Sequence, residues 1–130
     1  NREPEEEGIL RQAKENGTGF IAFSPLAQGL LTNRYLNGIP DDSRIAKGGF
    51  LKKEALTDEV LKKIKALNEL AIRRGQTLAE MALAWILKDD LVTSVIIGAS
   101  SVGQLADNLK AIDNTAFSAE ELKNIYQIVK

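Results

Sequence analysis

The apolar positions of this chain change period several times, and each change marks an element. Ile9, Leu10 and Ala13 form the apolar side of a short helix that opens on Pro4 and the acidic run Glu5, Glu6, Glu7 and stops at Gly17. Polar residues vanish from Phe20 to Phe23, the pattern of a buried strand. Val60, Leu61, Ile64, Leu67 and Ala71 recur at helical spacing until Gly75 stops them. Thr77 with Glu80 reads as a capping box for the next helix, which carries Met81, Ala82, Trp85 and Ile86, with Trp85 assigned to the core. A second apolar run, Val92 to Ile97, predicts another strand. Ser101 with Gln104 then caps a helix through Leu105, Leu109 and Ile112, and Ser118 with Glu121 caps a last one through Leu122, Ile125 and Val129. Between Pro25 and Leu56 no period survives. That stretch holds Gly29, Gly38, Pro40, Gly48 and Gly49, and a loop of such length in a compact domain is usually functional or disordered, which makes 25–56 a candidate lid.

Helices alternating with two buried strands are the grammar of a parallel α/β protein, whose sites lie beyond the carboxyl ends of the strands. Two strands cannot close a barrel of this class, which needs about eight strands and roughly 250 residues. The chain therefore reads as part of a larger α/β unit. It opens on Asn1 rather than on methionine, which fits that expectation. An isolated pair of such strands would leave two open edges and one uncovered apolar face, so self-association is expected of the fragment alone.

Both strands run into small residues. After the second come Gly98, Ala99, Ser100 and Ser101 and then a helix, and the free N–H groups of a helix N-terminus make such an approach suitable for phosphate. After the first come Ser24, Pro25, Leu26, Ala27, Gln28 and Gly29. Composition narrows the reading further. The chain has 130 residues, 44% hydrophobic and 27% charged, the balance of a soluble globular protein without a membrane span. Its formal charge of −1 lacks the basic footprint that nucleic-acid binding requires. With no cysteine and no histidine, disulfides and a zinc site of ordinary ligands are excluded, and a reducing cytoplasm is the expected compartment.

The run Phe23 to Thr32, followed by Tyr35-Leu36, Gly38-Ile39-Pro40 and Ser43-Arg44, and then Ser94 to Ser100 with Gln104-Leu105 and Asp107-Asn108, resembles the C-terminal half of an aldo-keto reductase. Within that family the resemblance is to the branch of the bacterial glyceraldehyde 3-phosphate and methylglyoxal reductases, which is also similar to the voltage-gated potassium channel β-subunits. It covers essentially the whole chain, in order and spacing. The resemblance implies a TIM (β/α)8 barrel of which residues 1–130 supply the seventh and eighth strands with their helices, the N-terminal half being a missing partner. It implies NADP(H) as cofactor and reduction of a small aldehyde or ketone by hydride transfer.

The family's catalytic aspartate, tyrosine, lysine and histidine belong to the first half of the barrel, so this chain carries no catalytic residue and alone is expected to be inactive. What the resemblance assigns to it is the cofactor cradle. Ser24, Pro25, Leu26 and Gln28 lie along the pyrophosphate, and Arg34 and Arg44 reach the phosphates from the loop. Gly98, Ser100 and Gln104 line the 2′-phosphate end, and Asp107 and Asn108 read the adenine. The chemistry of the residues agrees on several points. Guanidinium suits phosphate by charge and fork geometry, and an asparagine amide can bond adenine's amino group and ring nitrogen together. Gln104, Asp107 and Asn108 share a helix face at i, i+3 and i+4. Many family members place an arginine where this chain has Gln104, so NAD(H) stays open beside NADP(H). Two other roles stay open as well, a nucleotide-sensing binding subunit and a self-assembled structural half-barrel.

Overall fold

Parallel pairing of two short strands, with every other element on one side or at one end of them, organises the chain. The computed structural model describes residues 3–41, 43, 45–46, 48 and 53–130. Glu3–Glu6 (α1) and Ile9–Glu15 (α2) come first. The single helix expected between Pro4 and Gly17 is broken at Gly8, whose φ of 79° lies in the left-handed region and interrupts the helical ladder. Ile21–Phe23 (β1) follows, and it pairs in parallel with Ser94–Ile96 (β2) in the register Ile21 to Ser94, Ala22 to Val95 and Phe23 to Ile96. Both strands are shorter than the apolar runs that predict them. At their entrance a side chain takes a place in the ladder: the Phe20 N–H donates to Thr93 Oγ1 at 3.0 Å, and the Phe20 carbonyl accepts from the N–H of Thr93 at 2.8 Å and of Ser94 at 3.3 Å.

A parallel pair needs a long crossover, which here contains the loop and two helices, Asp58–Arg73 (α3) and Leu78–Ile86 (α4). The α3 helix starts on the Thr57 hydroxyl, which accepts from the Val60 N–H at 3.2 Å. It ends on Gly75 at φ 69°, where the N–H of Gln76 reaches the Ala71 carbonyl and that of Gly75 the Ile72 carbonyl, the paired bonds of a Schellman cap. The Thr77–Glu80 capping box is present in both directions, so the buried Glu80 carboxylate is satisfied by the Thr77 N–H at 2.9 Å. After β2 come Val102–Leu109 (α5) and Ala119–Val129 (α6), the latter with its predicted Ser118–Glu121 box complete. Ile64, Leu67, Leu70 and Ala71 of α3 pack with Leu78 and Met81 of α4 and Ile125 of α6 to form the main core, and Trp85 rests against it.

One cluster ties these helices together. Arg74, at the C-cap of α3, has a side chain only 3% exposed and paired with Glu121 of α6 at 2.7 Å. Its Nε donates to Gln76 Oε1 at 2.9 Å and its Nη2 to the Ala116 carbonyl at 2.9 Å, while the guanidinium lies 3.7 Å from the centre of the Phe117 ring. Gln76 adds a bond to the Asn114 carbonyl at 3.1 Å. Thus the turn after α3 holds the segment that leads into α6 through four of these contacts, the Arg74–Gln76 bond lying within the turn itself.

The opposite side of the sheet is bare. In-register residues of a parallel pair share a face, so Ile21, Phe23 and Ile96 point together, and all three are exposed, Phe23 to 79%. Ala22 and Val95 occupy the other face and are half-buried. A second apolar stripe, Val102, Leu105, Leu109 and Ile112, lies exposed along α5 and the 3-10 turn that continues it. Among the described residues no helix is long and apolar enough to cross a membrane.

Two stability predictions follow from the Arg74 cluster. Arg74→Ala takes a partner from the Glu121 carboxylate, the Gln76 amide oxygen and the Ala116 carbonyl, while the Asn114 carbonyl keeps its bond from Gln76; a lost hydrogen bond to a charged group costs about 1.5–3 kcal/mol. Urea denaturation should show that loss, whereas removal of the exposed Lys110–Asp107 pair by Lys110→Ala should leave the midpoint in place. Glu121 provides the pH arm. Burial raises its carboxyl, but the Ser118 N–H, the Arg74 guanidinium and the Ser118 hydroxyl outweigh that and hold it below the ordinary 4.5. A depressed carboxyl stabilises the fold above its unfolded value and loses that contribution as pH falls through the folded one. Acid titration of the thermal midpoint should therefore fall off below about 4.5 in the native chain, and less steeply in Glu121→Gln.

Candidate functional site

Because β1 and β2 are parallel and in register, the segments that leave Phe23 and Ile96 emerge at the same end of the sheet. One is strained. Ser24, Ala27 and Gln28 have φ of 52°, 47° and 58°, a left-handed backbone that non-glycine residues adopt only at a cost of about 1–2 kcal/mol each. Three such residues within five positions keep the turn close to the strand end. Hydrogen bonds fix it: the N–H of Ala27 reaches the Ser24 carbonyl at 3.0 Å, and the Leu26 carbonyl accepts from Gly29 at 2.9 Å and Leu31 at 3.2 Å. Pro25, Leu26 and Gln28 are half-buried and Ser24 is exposed. This strain carries no warning in the residue types themselves, and the sequence reading misses it.

The loop beyond is more structured than its composition predicts. It forms 3-10 turns at Ala27–Gly29, Asn33–Tyr35 and Lys53–Ala55, and it has a small core of its own in which Tyr35 and Ile45 pack with Leu30, Ile39 and Leu56. Thr32 caps the middle turn, accepting from the Arg34 N–H at 3.1 Å and donating to the Gly29 carbonyl at 2.7 Å. Arg34 is exposed next to the wholly buried Tyr35, whose hydroxyl has no hydrogen-bond partner. Arg44 lies outside the described residues.

The segment after β2 is built differently. Gly98, Ala99 and Ser100 are exposed, and no atom lies within 4 Å of where a Gly98 Cβ would stand. Ser101 caps α5 by accepting from the Gln104 N–H at 3.1 Å. The Gln104 side chain folds back one residue further than a capping box would, so that its Oε1 accepts from the Ser100 N–H at 2.7 Å and from the Ser100 hydroxyl at 3.0 Å. That amide oxygen occupies the position an anion would take on the Ser100 donors.

The three residues expected on one face of α5 separate by burial. Gln104 and Asp107 are exposed, whereas Asn108 is only 5% exposed and turned inward. Asp107 pairs with Lys110 at 2.8 Å, and the bond and charge of Asp107 hold the Lys110 ammonium above its ordinary value. The Asn108 Nδ2 is buried without a partner, a donor left open for an acceptor. Among the described residues no group of histidine, cysteine or carboxylate side chains could hold a metal.

A cavity of about 730 Å³ opens behind the sheet, lined by Ala22, Leu78, Met81, Trp85 and Ile125 and reached by Ser24 and Pro25. It is apolar, and residues 98–108 do not line it. Of the polar residues expected to meet a ligand, Ser24, Gln28 and Ser100 lie in the segments that leave the strands, Arg34 lies in the loop, and Gln104, Asp107 and Asn108 lie on α5.

Comparison with known proteins gives the following. The pattern of the Aldo/keto reductase family matches residues 2–130. An L-glyceraldehyde 3-phosphate reductase of Escherichia coli O157:H7 is 50% identical over 131 residues, covering 98% of this chain and 38% of the relative, and that of strain K12 is 51% identical over the same span. A probable voltage-gated potassium channel subunit beta of Arabidopsis thaliana is 43% identical over 101 residues, covering 75% of this chain and 31% of the relative. A thermostable aldo-keto reductase, solved with the inhibitor epalrestat, superposes with a TM-score of 0.64 at 26% identity over 98% of this chain and 36% of that one. The chain thus spans about a third of the length of the relatives it matches, from 31% to 38%.

The strained turn generates a prediction. At Ala27 glycine removes a left-handed penalty of about 1–2 kcal/mol and adds an unfolded-state entropy cost of roughly 0.5–1 kcal/mol. Ala27→Gly should therefore stabilise the chain by about 0.5–1 kcal/mol in urea. Destabilisation of that size would mean that the turn is not held left-handed in solution.

Proposed function

The chain belongs to the aldo/keto reductase family, and from that premise we propose that it is the nucleotide-holding C-terminal portion of an oxidoreductase that reduces small aldehydes or ketones. In this reading β1 and β2 are the seventh and eighth strands of a TIM barrel, with 25–56 as the segment that covers the cofactor. The exposed Ile21, Phe23 and Ile96 then line the barrel interior, and the stripe on α5 faces a helix of the remaining part. Coverage of about a third of the solved neighbour is consistent with two strands of eight.

One observation carries the nucleotide assignment. Two segments of unlike construction, one strained and one capped, leave the same end of a parallel pair, and the second brings the Ser100 and Ser101 hydroxyls and the α5 N-terminus there. Family members generally use nicotinamide cofactors. The residues present fit such a group: small side chains and the α5 N-terminus suit a phosphate, and Asn108 has a donor to give. We assign Ser24, Pro25, Leu26 and Gln28 to the pyrophosphate, Arg34 and Arg44 to the phosphates, Gly98, Ser100 and Gln104 to the 2′-phosphate end, and Asp107 and Asn108 to the adenine. NADP(H) is the cofactor we propose. Gln104 brings no positive charge to the 2′-phosphate, so NAD(H) is the competing one. When bound, the cofactor supplies the hydride.

This chain binds and orients, and the proton donor that carbonyl reduction requires is assigned to the rest of the protein. With no histidine on the chain, and with Tyr35 buried in the loop core, the 130 residues alone are assigned no activity. The reductase role is favoured over the channel-subunit role by identity, 50% against 43%, and by coverage of this chain, 98% against 75%.

In the complete protein Arg34→Ala should weaken NADPH by about 1.5–3 kcal/mol, the worth of a charge-assisted hydrogen bond, with kcat at saturating cofactor little changed. Fluorescence titration of NADPH checks this, and an unchanged affinity contradicts the place given to Arg34.

A further inference from the structure

The chain contains two Asn-Gly pairs, Asn16-Gly17 and Asn37-Gly38, and the fold treats them in opposite ways. An asparagine followed by glycine is chemically exposed, because the next backbone nitrogen can reach the side-chain amide carbon when no Cβ obstructs it. Whether it does so depends on what restrains the amide and the N–H. At Asn16 both are restrained. Its Nδ2 donates to the Gln12 carbonyl at 2.8 Å, its backbone is fixed at φ −90° and ψ 8° as the C-cap of α2, and the Gly17 N–H donates to the Lys14 carbonyl at 3.0 Å. At Asn37 the restraint among the described residues is weaker. The side chain is exposed and has no hydrogen bond among the described residues. The Gly38 N–H is 3.4 Å from the Tyr35 carbonyl, longer than an ordinary backbone bond. Gly38 itself sits at φ 118° with no atom within 4 Å of its would-be Cβ, so the backbone there has room to turn.

We propose that Asn37 is a site of spontaneous covalent modification in the loop and that Asn16, with the same dipeptide, is protected. The Gly38 nitrogen, losing its proton to solvent, attacks Asn37 Cγ. The bond from Cγ to Nδ2 breaks and ammonia leaves, closing a five-membered imide. Water then adds to either imide carbonyl and opens the ring to aspartate or isoaspartate. The balance is one amide and one water converted to one carboxylate and one ammonium ion, with no change of oxidation state. The product places a negative charge three residues from Arg34. On the assignment of Arg34 proposed above, that charge competes with a cofactor phosphate for the guanidinium, so ageing of the protein lowers its nucleotide affinity.

The test is to incubate the purified protein in mildly acidic and mildly alkaline buffer and to map the peptides by mass spectrometry over time. The expected result is conversion at Asn37 several times faster than at Asn16, accelerated in the alkaline sample and abolished at that position in Asn37→Gln. Equal rates at the two pairs, or an unconverted Asn37 after prolonged alkaline incubation, overturns the proposal. A separate measurement isolates the consequence. Asn37→Asp should bind NADPH several-fold more weakly than the native protein. If mapping shows conversion while Asn37→Asp binds NADPH as the native protein does, the modification site is supported and the place of Arg34 by the phosphates is contradicted.

Discussion

Arg74 is the contact on which the helical layer depends. It sits where α3 must end, one residue before the left-handed Gly75, and its guanidinium is spent wholly inside the protein. A charge that is 3% exposed survives only if every donor finds a partner, and here Glu121, Gln76 and the carbonyls of residues 114 and 116 supply them while Phe117 covers the face. The consequence reaches the sheet. By fixing the turn between α3 and α4 against the start of α6, the cluster sets the angle at which Leu67, Leu78, Met81 and Ile125 meet. That layer faces Ala22 across the cavity, while Ile21, Phe23 and Ile96 on the other face of the sheet are exposed.

The same asymmetry organises the candidate site. The segment that leaves β1 holds three left-handed non-glycine residues, whereas the buried polar atoms without a partner among the described residues are spread over the loop, α4 and α5: the Tyr35 hydroxyl, Trp85 Nε1 and Asn108 Nδ2. Left-handed strain in a segment that leaves the carboxyl end of a parallel strand is the observation that the proposed site builds on. The cavity behind the sheet, though larger, is apolar and lies among core residues.

Much of this was readable from residue types, and the reasons are specific. The capping pairs Thr77–Glu80 and Ser118–Glu121 are local devices whose hydrogen bonds depend on three-residue spacing alone, and both are present as read. Gly75 ends its helix for an equally local reason. What the sequence hid was set by distant partners or by backbone geometry. Gly8 breaks a continuous helical pattern, and Thr93 enters the strand ladder through its hydroxyl. Asn108 turns inward although its spacing groups it with Gln104 and Asp107, and Gln104 reaches past the cap residue to Ser100. The left-handed turn at Ser24, Ala27 and Gln28 has no compositional signal, since serine, alanine and glutamine are not residues that favour it. The small core around Tyr35 was likewise masked by the glycines that surround it in sequence.

On the proposed function, nucleotide binds at the two strand ends and not in the apolar cavity. Amide hydrogen exchange on the complete protein, with and without NADPH, reads this directly because it resolves local stabilisation segment by segment. The expected result is added protection in residues 24–34 and 98–108, with the amides of α3 and the Arg74 turn unchanged. Protection confined to α4 and α6 around the cavity, or no change at either strand end under saturating NADPH, would contradict it.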